Sequence, residues 1–146
     1  MKLNLQTDYA LRLLMHLAVN EDSLVTIAEV AKRYDISKNH LMKVAHILGK
    51  EGVIDTVRGR SGGLRLAAPS SAINVGRVVR LMEADLALVE CFQGPDGGCA
   101  ITPACRLKHI LNKALNAFLD VLDQYTVEDL VQRNDALKKL LFKEVA

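Results

Sequence analysis

A glycine-rich turn between two short β-type runs, placed after three helical segments, most constrains what this chain can fold into. The runs cover residues 53–57 and 64–67, and Arg58-Gly-Arg-Ser-Gly-Gly63 lies between them. Short runs around such a turn are typical of a β-hairpin, because glycine adopts the backbone angles that tight turns need. The sequence therefore predicts a mainly α-helical fold with one small β-hairpin.

Capping residues set the limits of the shorter predicted helices. Thr26-Ile-Ala-Glu29 is a capping box, and Ser37 and Asn74 are residue types that accept a hydrogen bond from the first turn of a helix. The helices predicted in this way cover residues 27–34, 38–50 and 75–84, and a last helix, capped by Thr126, covers about 127–141. The first helix, over residues 8–20, is predicted from apolar periodicity, which places Tyr9, Leu13, Leu14, Leu17 and Ala18 on one face.

A long helix is predicted where Thr102 and Pro103 stand, because a capping residue followed by proline at the first helical position is a strong helix start. Its apolar residues recur every three or four positions, which is the period of one helix face. They are Leu107, Ile110, Leu111, Ala114, Leu115, Phe118, Leu119 and Leu122. A chain of 146 residues has little left to cover a stripe of this length.

Composition excludes several classes of protein. Half of the residues are apolar, which is enough for a core, but no apolar run approaches the roughly 20 residues that a membrane span needs. The N-terminal segment carries Asp8, Arg12 and His16 within its apolar pattern and lacks a small-residue cleavage site, so it predicts an amphipathic helix rather than a signal peptide. We therefore expect a cytoplasmic protein without a membrane partner, in which thiols stay reduced.

The positive charge of the chain is local. The net charge is +2, whereas residues 37–65 carry six basic and two acidic side chains. A basic third helix followed by a basic hairpin is the arrangement of a winged helix-turn-helix, in which the start of that helix enters the major groove of DNA. Residues 1–70 are therefore predicted to form a DNA-binding domain.

Nine residues are candidates for DNA contacts. Asparagine can pair with adenine, lysine can contact guanine or phosphate, and arginines on a slim glycine turn suit a narrow minor groove. The candidates are Ser37, Lys38, Asn39, His40 and Lys43 on the third helix and Arg58, Gly59, Arg60 and Ser61 on the hairpin turn. The alternative interpretation is a solvated helix face beside an ordinary hairpin.

Three cysteines, Cys91, Cys99 and Cys105, lie in one short segment, and the rest of the chain has none. An odd number of cysteines disfavours a disulfide framework. Thiolates are soft ligands that suit zinc, copper(I) or an iron–sulfur cluster. Cys105 is predicted to lie in the first turn of the long helix, where the helix dipole favours an anionic ligand. The segment therefore predicts a single metal site.

Spacing alone leaves the fourth ligand of such a site open. His109 lies one helical turn after Cys105, Glu90 adjoins Cys91, and Asp8 is distant in sequence. A structural zinc site normally has four protein ligands with CxxC-like pairs, which are missing here, and inert buried cysteines are a further alternative. No acid–base pair or phosphate-binding loop accompanies the thiols, so the chain is not predicted to be an enzyme.

Four segments of the chain resemble the Rrf-two-type family of bacterial winged-helix regulators. They are QTDYALR near the N-terminus, GRSGGL in the hairpin, CFQGPDGGCAITPACRL in the cysteine segment and VLDQYTVEDL further on, and the resemblance covers essentially the whole chain. The last two are most similar to the nitric-oxide-sensitive repressors of that family. The resemblance implies a transcriptional repressor that binds palindromic operator DNA as a homodimer and responds to nitric oxide.

The resemblance also implies a cofactor. Family members hold an iron–sulfur cluster on three cysteines, and the nitric-oxide-sensitive members add an aspartate from the first helix of the other subunit, which matches Asp8, with Arg12 as its charge partner. A 4Fe–4S cluster is expected, with 2Fe–2S as the alternative. Residues 71–146 would then form the cluster-binding loop, about 85–105, and the dimerisation helices, with the long helix packed against its partner.

Two alternative functions stay open. Members of the family that sense iron–sulfur status or redox state use a histidine three residues after the third cysteine, where this chain has Lys108 and where His109 is displaced by one. Their gap corresponding to Cys91–Cys99 is also shorter. A zinc or copper sensor on the same scaffold is the second alternative.

Overall fold

The computed structural model describes residues 1–94 and 98–142. Within these ranges the chain forms seven α-helices and one two-stranded antiparallel sheet. The elements are α1 (Leu5–Val19), α2 (Ile27–Tyr34), α3 (Lys38–Lys50), β1 (Ile54–Val57), β2 (Gly63–Leu66), α4 (Val75–Met82), α5 (Arg106–Asp123), α6 (Val127–Val131) and α7 (Asp135–Leu141). The predicted mainly helical fold with one hairpin is confirmed. Residues 95–97 of the predicted cluster loop and 143–146 of the predicted C-terminal region lie outside the described residues.

Helices α2 and α3 have their predicted limits, whereas α1 begins three residues earlier than predicted. The capping box of α2 is complete, since Thr26 and Glu29 each accept a hydrogen bond from the other's backbone N–H. Helix α1 starts early because the Asn4 side chain caps it, accepting the Thr7 N–H at 2.8 Å. The predicted cap of α3 is wrong, because the Ser37 side chain makes no capping hydrogen bond.

The long helix α5 begins at Arg106 instead of Pro103. Thr102–Ala104 form a separate 3₁₀ turn, and Cys105 then takes extended backbone angles that interrupt the helical path. Cys105 is therefore the N-cap of α5, not a member of its first turn as predicted.

The C-terminal part of the chain is two helices where the sequence predicted one over residues 127–141. Helix α6 ends at Val131, and Arg133 adopts a positive φ of 53°. The Asn134 side chain then accepts the Leu137 N–H at 3.0 Å and starts α7. An asparagine inside a helical pattern competes with the helix for backbone hydrogen bonds, which explains the break.

The hairpin is anchored to the helices by its second strand. Strands β1 and β2 pair antiparallel, with Ile54 opposite Leu66. Val25, between α1 and α2, exchanges two backbone hydrogen bonds with Leu64, at N–O distances of 3.0 and 2.7 Å. Strand β2 therefore pairs on both sides, which fixes the hairpin beside α2 and α3.

Helix α1 lies at the centre of the core. Leu13, Leu14 and Leu17 are at most 1% exposed, and the apolar cluster around them includes residues of α2, α3, the hairpin, α4 and α6. In α5, by contrast, only Leu119 is buried. The apolar stripe predicted on α5 is uncovered mainly toward its N-terminal end, where Leu107 is 60% and Ile110 62% exposed; further along, most of its residues are half-buried.

The C-terminal end of α5 is fixed to α4 by a fork-shaped ion pair. Arg80 Nη1 and Nη2 lie 2.5 and 2.8 Å from the two carboxylate oxygens of Asp123. A Cβ at Gly76 would collide with that carboxylate, so glycine permits the close approach of the two helices.

None of the described helices is long and apolar enough to cross a membrane.

Candidate nucleic-acid interface and metal centre

Helix α3 presents a buried face and an exposed face. Leu41, Val44 and Leu48 are fully buried and pack into the core, so the opposite side of the helix is turned to solvent. All nine residues predicted to contact DNA are exposed. Because Ser37 gives α3 no side-chain cap, the backbone N–H groups of its first turn remain open to an anionic partner.

The hairpin turn holds two arginines on a tightly closed backbone. Gly59 has a φ of 107°, and its carbonyl oxygen accepts a hydrogen bond from the Gly62 N–H at 3.1 Å. A Cβ at Gly62 would collide with the carbonyl oxygen of Val57. Glycine is thus required at both positions, and Arg58 and Arg60, on either side of Gly59, are exposed.

Asp8 is held by Arg12, one turn further along α1. Arg12 Nε donates to Oδ1 of Asp8 at 3.1 Å, and Arg12 Nη2 lies 2.7 Å from Oδ2. This two-point contact is the charge partner predicted for Asp8. The side chains of Arg12 and Asp8 are 38% and 44% exposed, so the pair lies at the surface.

Arg12 also contacts two tyrosines that lead to other helices. Its guanidinium carbon lies 5.9 Å from the ring centroids of both Tyr9 and Tyr34, within the range of a cation–π contact. The Tyr34 hydroxyl donates to the Arg12 carbonyl oxygen at 3.2 Å, and burial raises the pKa of Tyr34 to about 12. The ring centroids of Tyr9 and His40 are 6.2 Å apart. Contacts therefore run continuously from Asp8 to the start of α3.

The three cysteines line one cavity of about 410 Å³. Most of the other lining side chains are apolar, namely Val89, Ile101, Leu107 and Leu111. The Cys105 sulfur accepts the Lys108 backbone N–H at 3.4 Å and so lies at the N-terminus of α5. The positive end of the helix dipole at this point favours an anionic ligand.

The three candidates for a fourth ligand lie in different places. Glu90 lines the cysteine cavity. His109 lines a second cavity, of about 490 Å³, which Cys91 also borders. Asp8 lines neither of these two cavities. In residues 1–94 and 98–142 no three His, Cys, Asp or Glu side chains are grouped so that they could hold a metal ion.

Sequence reasoning missed three residues of this arrangement. Tyr9 directly follows Asp8, but its helical phase assigned it only to the apolar face of α1. Nothing in the sequence singled out Tyr34 as a neighbour of Arg12. Glu83 accepts a hydrogen bond from Thr7, 76 residues away, and no local pattern indicates a contact over that distance.

Comparison with known proteins identifies the class of regulator. A family model described as Rrf2, iron-dependent transcriptional regulator, matches residues 3–133. The chain belongs to the Rrf2 family. It is a transcriptional regulator and not an enzyme, and its partner is DNA, as predicted.

Relatives of known name match this sequence over nearly its whole length. The HTH-type transcriptional regulator NsrR of Bacillus licheniformis is 54% identical over 142 residues, which cover 97% of this chain and 99% of the relative. NsrR of Bacillus subtilis (strain 168) is 50% identical, with 97% of each chain covered. The predicted resemblance to this family is therefore confirmed.

Solved structures of regulators show the same fold. The oxidised form of Staphylococcus aureus CymR has a TM-score of 0.71 at 26% identity, with 90% of this chain and 97% of that chain covered. IscR of T. potens has a TM-score of 0.74 at 23% identity, with 100% of this chain and 94% of that chain covered. At this identity the similarity is evidence for a shared fold only. The predicted winged helix-turn-helix fold is confirmed.

Proposed function

We propose that this Rrf2 regulator is a cytoplasmic, nitric-oxide-sensitive repressor whose binding to operator DNA is controlled by an iron–sulfur cluster. The observation that carries the proposal is that Cys91, Cys99 and Cys105 line one cavity. Nitric oxide as the signal is supported by the relatives named NsrR, a name that denotes nitric-oxide-sensitive repressors.

The donor set of the cavity fits an iron–sulfur cluster. Thiolates are the usual protein ligands of such clusters, and three of them stand here in mostly apolar surroundings with one at a helix N-terminus. We assign Cys91, Cys99 and Cys105 as ligands of a 4Fe–4S cluster, with 2Fe–2S as the alternative, and Asp8 of the second subunit as the fourth ligand. A bound cluster supplies iron atoms that react with nitric oxide.

Residues 1–70 serve as the DNA-binding domain in this proposal. The start of α3, with Ser37, Lys38, Asn39, His40 and Lys43, enters the major groove, where side chains distinguish base pairs. The hairpin turn, with Arg58, Gly59, Arg60 and Ser61, follows the backbone into the minor groove. The exposure of all nine side chains and their local positive charge support this assignment.

Residues 71–146 provide the cluster-binding loop, about 85–105, and the dimer contact. The uncovered stripe on α5, in which Leu107 and Ile110 are more than half exposed, supports a second copy packed against the same face of its partner. Such a two-fold dimer suits a palindromic operator, in which half-sites lie about 34 Å apart.

The control of DNA binding depends on what the Asp8 carboxylate contacts. Asp8 orients Arg12, whose guanidinium lies over Tyr9 and Tyr34, and Tyr9 in turn contacts His40 at the start of α3. A change at Asp8 therefore alters the support of the recognition helix, and a modest shift between two packings is enough to change DNA affinity.

The decisive experiment measures operator affinity before and after nitric oxide. Cluster-loaded protein should lose about 100-fold in affinity after treatment, which corresponds to about 2.8 kcal/mol. Untreated Cys91→Ala protein should bind the operator as weakly as the wild type does after treatment with nitric oxide. Ile101→Ala, which alters the same cavity without removing a thiol, is the matched control and should retain the response. Equal affinity of loaded, treated and Cys91→Ala protein would exclude the proposed switch.

Metal analysis separates this proposal from the sensors of other metals. The proposal requires iron together with acid-labile sulfide, whereas zinc or copper alone would indicate a metal sensor on the same scaffold. For the fourth ligand, Asp8→Ala should alter the cluster absorbance and the nitric-oxide response, and His109→Ala should leave both intact. The opposite result would transfer the ligand role to His109 and favour a regulator of iron–sulfur status.

A further inference from the structure

The start of α1 is held by the end of α4 through one carboxylate oxygen. Glu83 Oε1 accepts the Asn4 backbone N–H at 2.8 Å and the Thr7 hydroxyl at 2.6 Å. The Asn4 side-chain amide donates to the Met82 carbonyl oxygen at 3.0 Å. We call these four residues, Asn4, Thr7, Met82 and Glu83, the α1 junction.

The α1 junction is short, partly enclosed and favoured by charge. Thr7 is fully buried, and its hydroxyl has the carboxylate as a strong acceptor, because hydrogen bonds to ionised groups are shorter and stronger than neutral ones. The carboxylate also lies at the N-terminus of α1, where the helix dipole stabilises negative charge. A glutamate at this position is thus suited to hold the two segments together.

The α1 junction lies between the two functional parts of the chain. Glu83 is the C-cap of α4 and begins the segment that reaches Cys91 eight residues later. Thr7 directly precedes Asp8, and Asp8 leads through Arg12 and Tyr9 to α3. Helix α1 is thereby fixed at its start to the residue at which the chain leaves α4 for the cysteine segment, and along its length to the recognition helix.

We propose that Glu83 is a positioning residue that transmits the state of the cysteine segment to the recognition helix of the same chain. The inference rests on the proposed function, since it concerns how the cluster site controls DNA binding. A movement of the segment at Glu83 displaces the first turn of α1, because two of the hydrogen bonds that hold this turn end on the Glu83 carboxylate. The displacement reaches α3 because α1 contacts it directly.

The test compares operator affinity of cluster-loaded and nitric-oxide-treated protein, using DNA selected from random sequence by the loaded wild type. The ratio of the two affinities should fall at least tenfold in Glu83→Ala. Glu83→Gln should retain most of the ratio, because the amide oxygen can accept the same two hydrogen bonds. Glu128→Ala is the matched control and should leave the ratio unchanged, because it removes an exposed glutamate on α6, outside the α1 junction and the cluster-binding loop.

A second measurement distinguishes transmission from stability. Amide hydrogen exchange of residues 7–8 in cluster-free protein should accelerate in Glu83→Ala and stay near wild type in Glu83→Gln. Faster exchange with an unchanged affinity ratio would make the α1 junction merely structural and overturn the inference, while the proposed function would stand. A wild-type ratio near one would overturn both.

Discussion

The N-terminal region, α1–α3 with the hairpin, and the long helix α5 differ sharply in how they are covered. Of the 15 residues of α1, six are buried, whereas α5 buries one of 18. Both helices carry an apolar stripe, so the difference lies in their neighbours. The core around α1 is completed within one chain, by residues of the N-terminal region together with residues of α4 and α6, whereas α5 leaves apolar side chains exposed.

This difference separates the parts by task. A region that is well packed within one chain is suited to present α3 and the hairpin turn in a fixed relation, as groove recognition requires. In the proposed function, the region with an open apolar face and three thiols binds a second subunit and a cluster, so its structure can respond to both. Helix α4 joins the two, because its C-cap Glu83 accepts a hydrogen bond from α1 and its Arg80 pairs with Asp123 of α5.

The largest expected effect tests the core around α1, which is completed within one chain. Leu13→Ala should lower the free energy of unfolding by about 3 kcal/mol, because Leu13 is fully buried and the truncation leaves a cavity. Denaturant unfolding followed by circular dichroism measures the change. Leu140→Ala, at a residue 64% exposed, is the control and should change stability by less than about 0.5 kcal/mol. Similar losses in the two variants would contradict the contrast.

The next effect tests the open face of α5. Ile110→Glu places a charge in the most exposed part of the stripe and should weaken dimerisation at least 100-fold, or about 2.8 kcal/mol, while the helical circular dichroism signal stays the same. Sedimentation equilibrium measures the dissociation constant. Leu140→Glu adds the same charge at an equally exposed residue on α7, outside the stripe, and should leave the dimer intact. A dimer that survives Ile110→Glu would locate the interface elsewhere.

The sequence predicted the N-terminal region well because its signals are local. The capping box of α2 and the glycine turn act within a few residues, and the Asp8–Arg12 pair is an i, i+4 contact of one helix. Thr7 and Glu83 are 76 residues apart in sequence, and their hydrogen bond instead depends on how α1 packs against α4. No periodicity or spacing within one element encodes such a contact.

In the C-terminal region the sequence predicted that helices form, but not where they begin and end. The stripe of α5 was correct, while its start and the division between α6 and α7 were not. Cys105 acts as a cap, a role that sequence rules assign to serine, threonine, asparagine or aspartate. The break at Asn134 shows that a side chain competing for the backbone can outweigh an apolar period that continues across it.

A smaller effect concerns the DNA-facing surface of the N-terminal region. Arg60→Ala should weaken operator binding three- to tenfold, about 1 kcal/mol, and reduce the slope of affinity against salt concentration by about one phosphate contact. Fluorescence anisotropy at several salt concentrations measures both quantities. Lys139→Ala removes one positive charge on α7 and should change neither. An equal effect of the two variants would mean that total charge, not the hairpin turn, determines binding.

The smallest effect concerns a polar group inside the packed region. His16 is 4% exposed, its Nδ1 has no hydrogen-bond partner among the described residues, and its ring meets Tyr34 edge-on. Burial, with a further contribution from Arg33, lowers the pKa of His16. The unfolded chain therefore takes up the proton first, and stability falls as pH decreases through about 6.5, the ordinary value for histidine.

The size of that fall is bounded, and a variant isolates it. One proton difference gives a slope of about 1.4 kcal/mol per pH unit, and half-protonation of the unfolded side chain near pH 6.5 limits the loss between pH 7 and 6 to about 0.7 kcal/mol. His16→Leu should remove this component, since leucine suits the buried position and does not titrate. Tyr34→Phe should retain it, because the aromatic ring that covers His16 is preserved. If the pH dependence of unfolding is the same in wild type and His16→Leu, the imidazole is not held neutral by the core, and the N-terminal region is less tightly packed than its buried residues indicate.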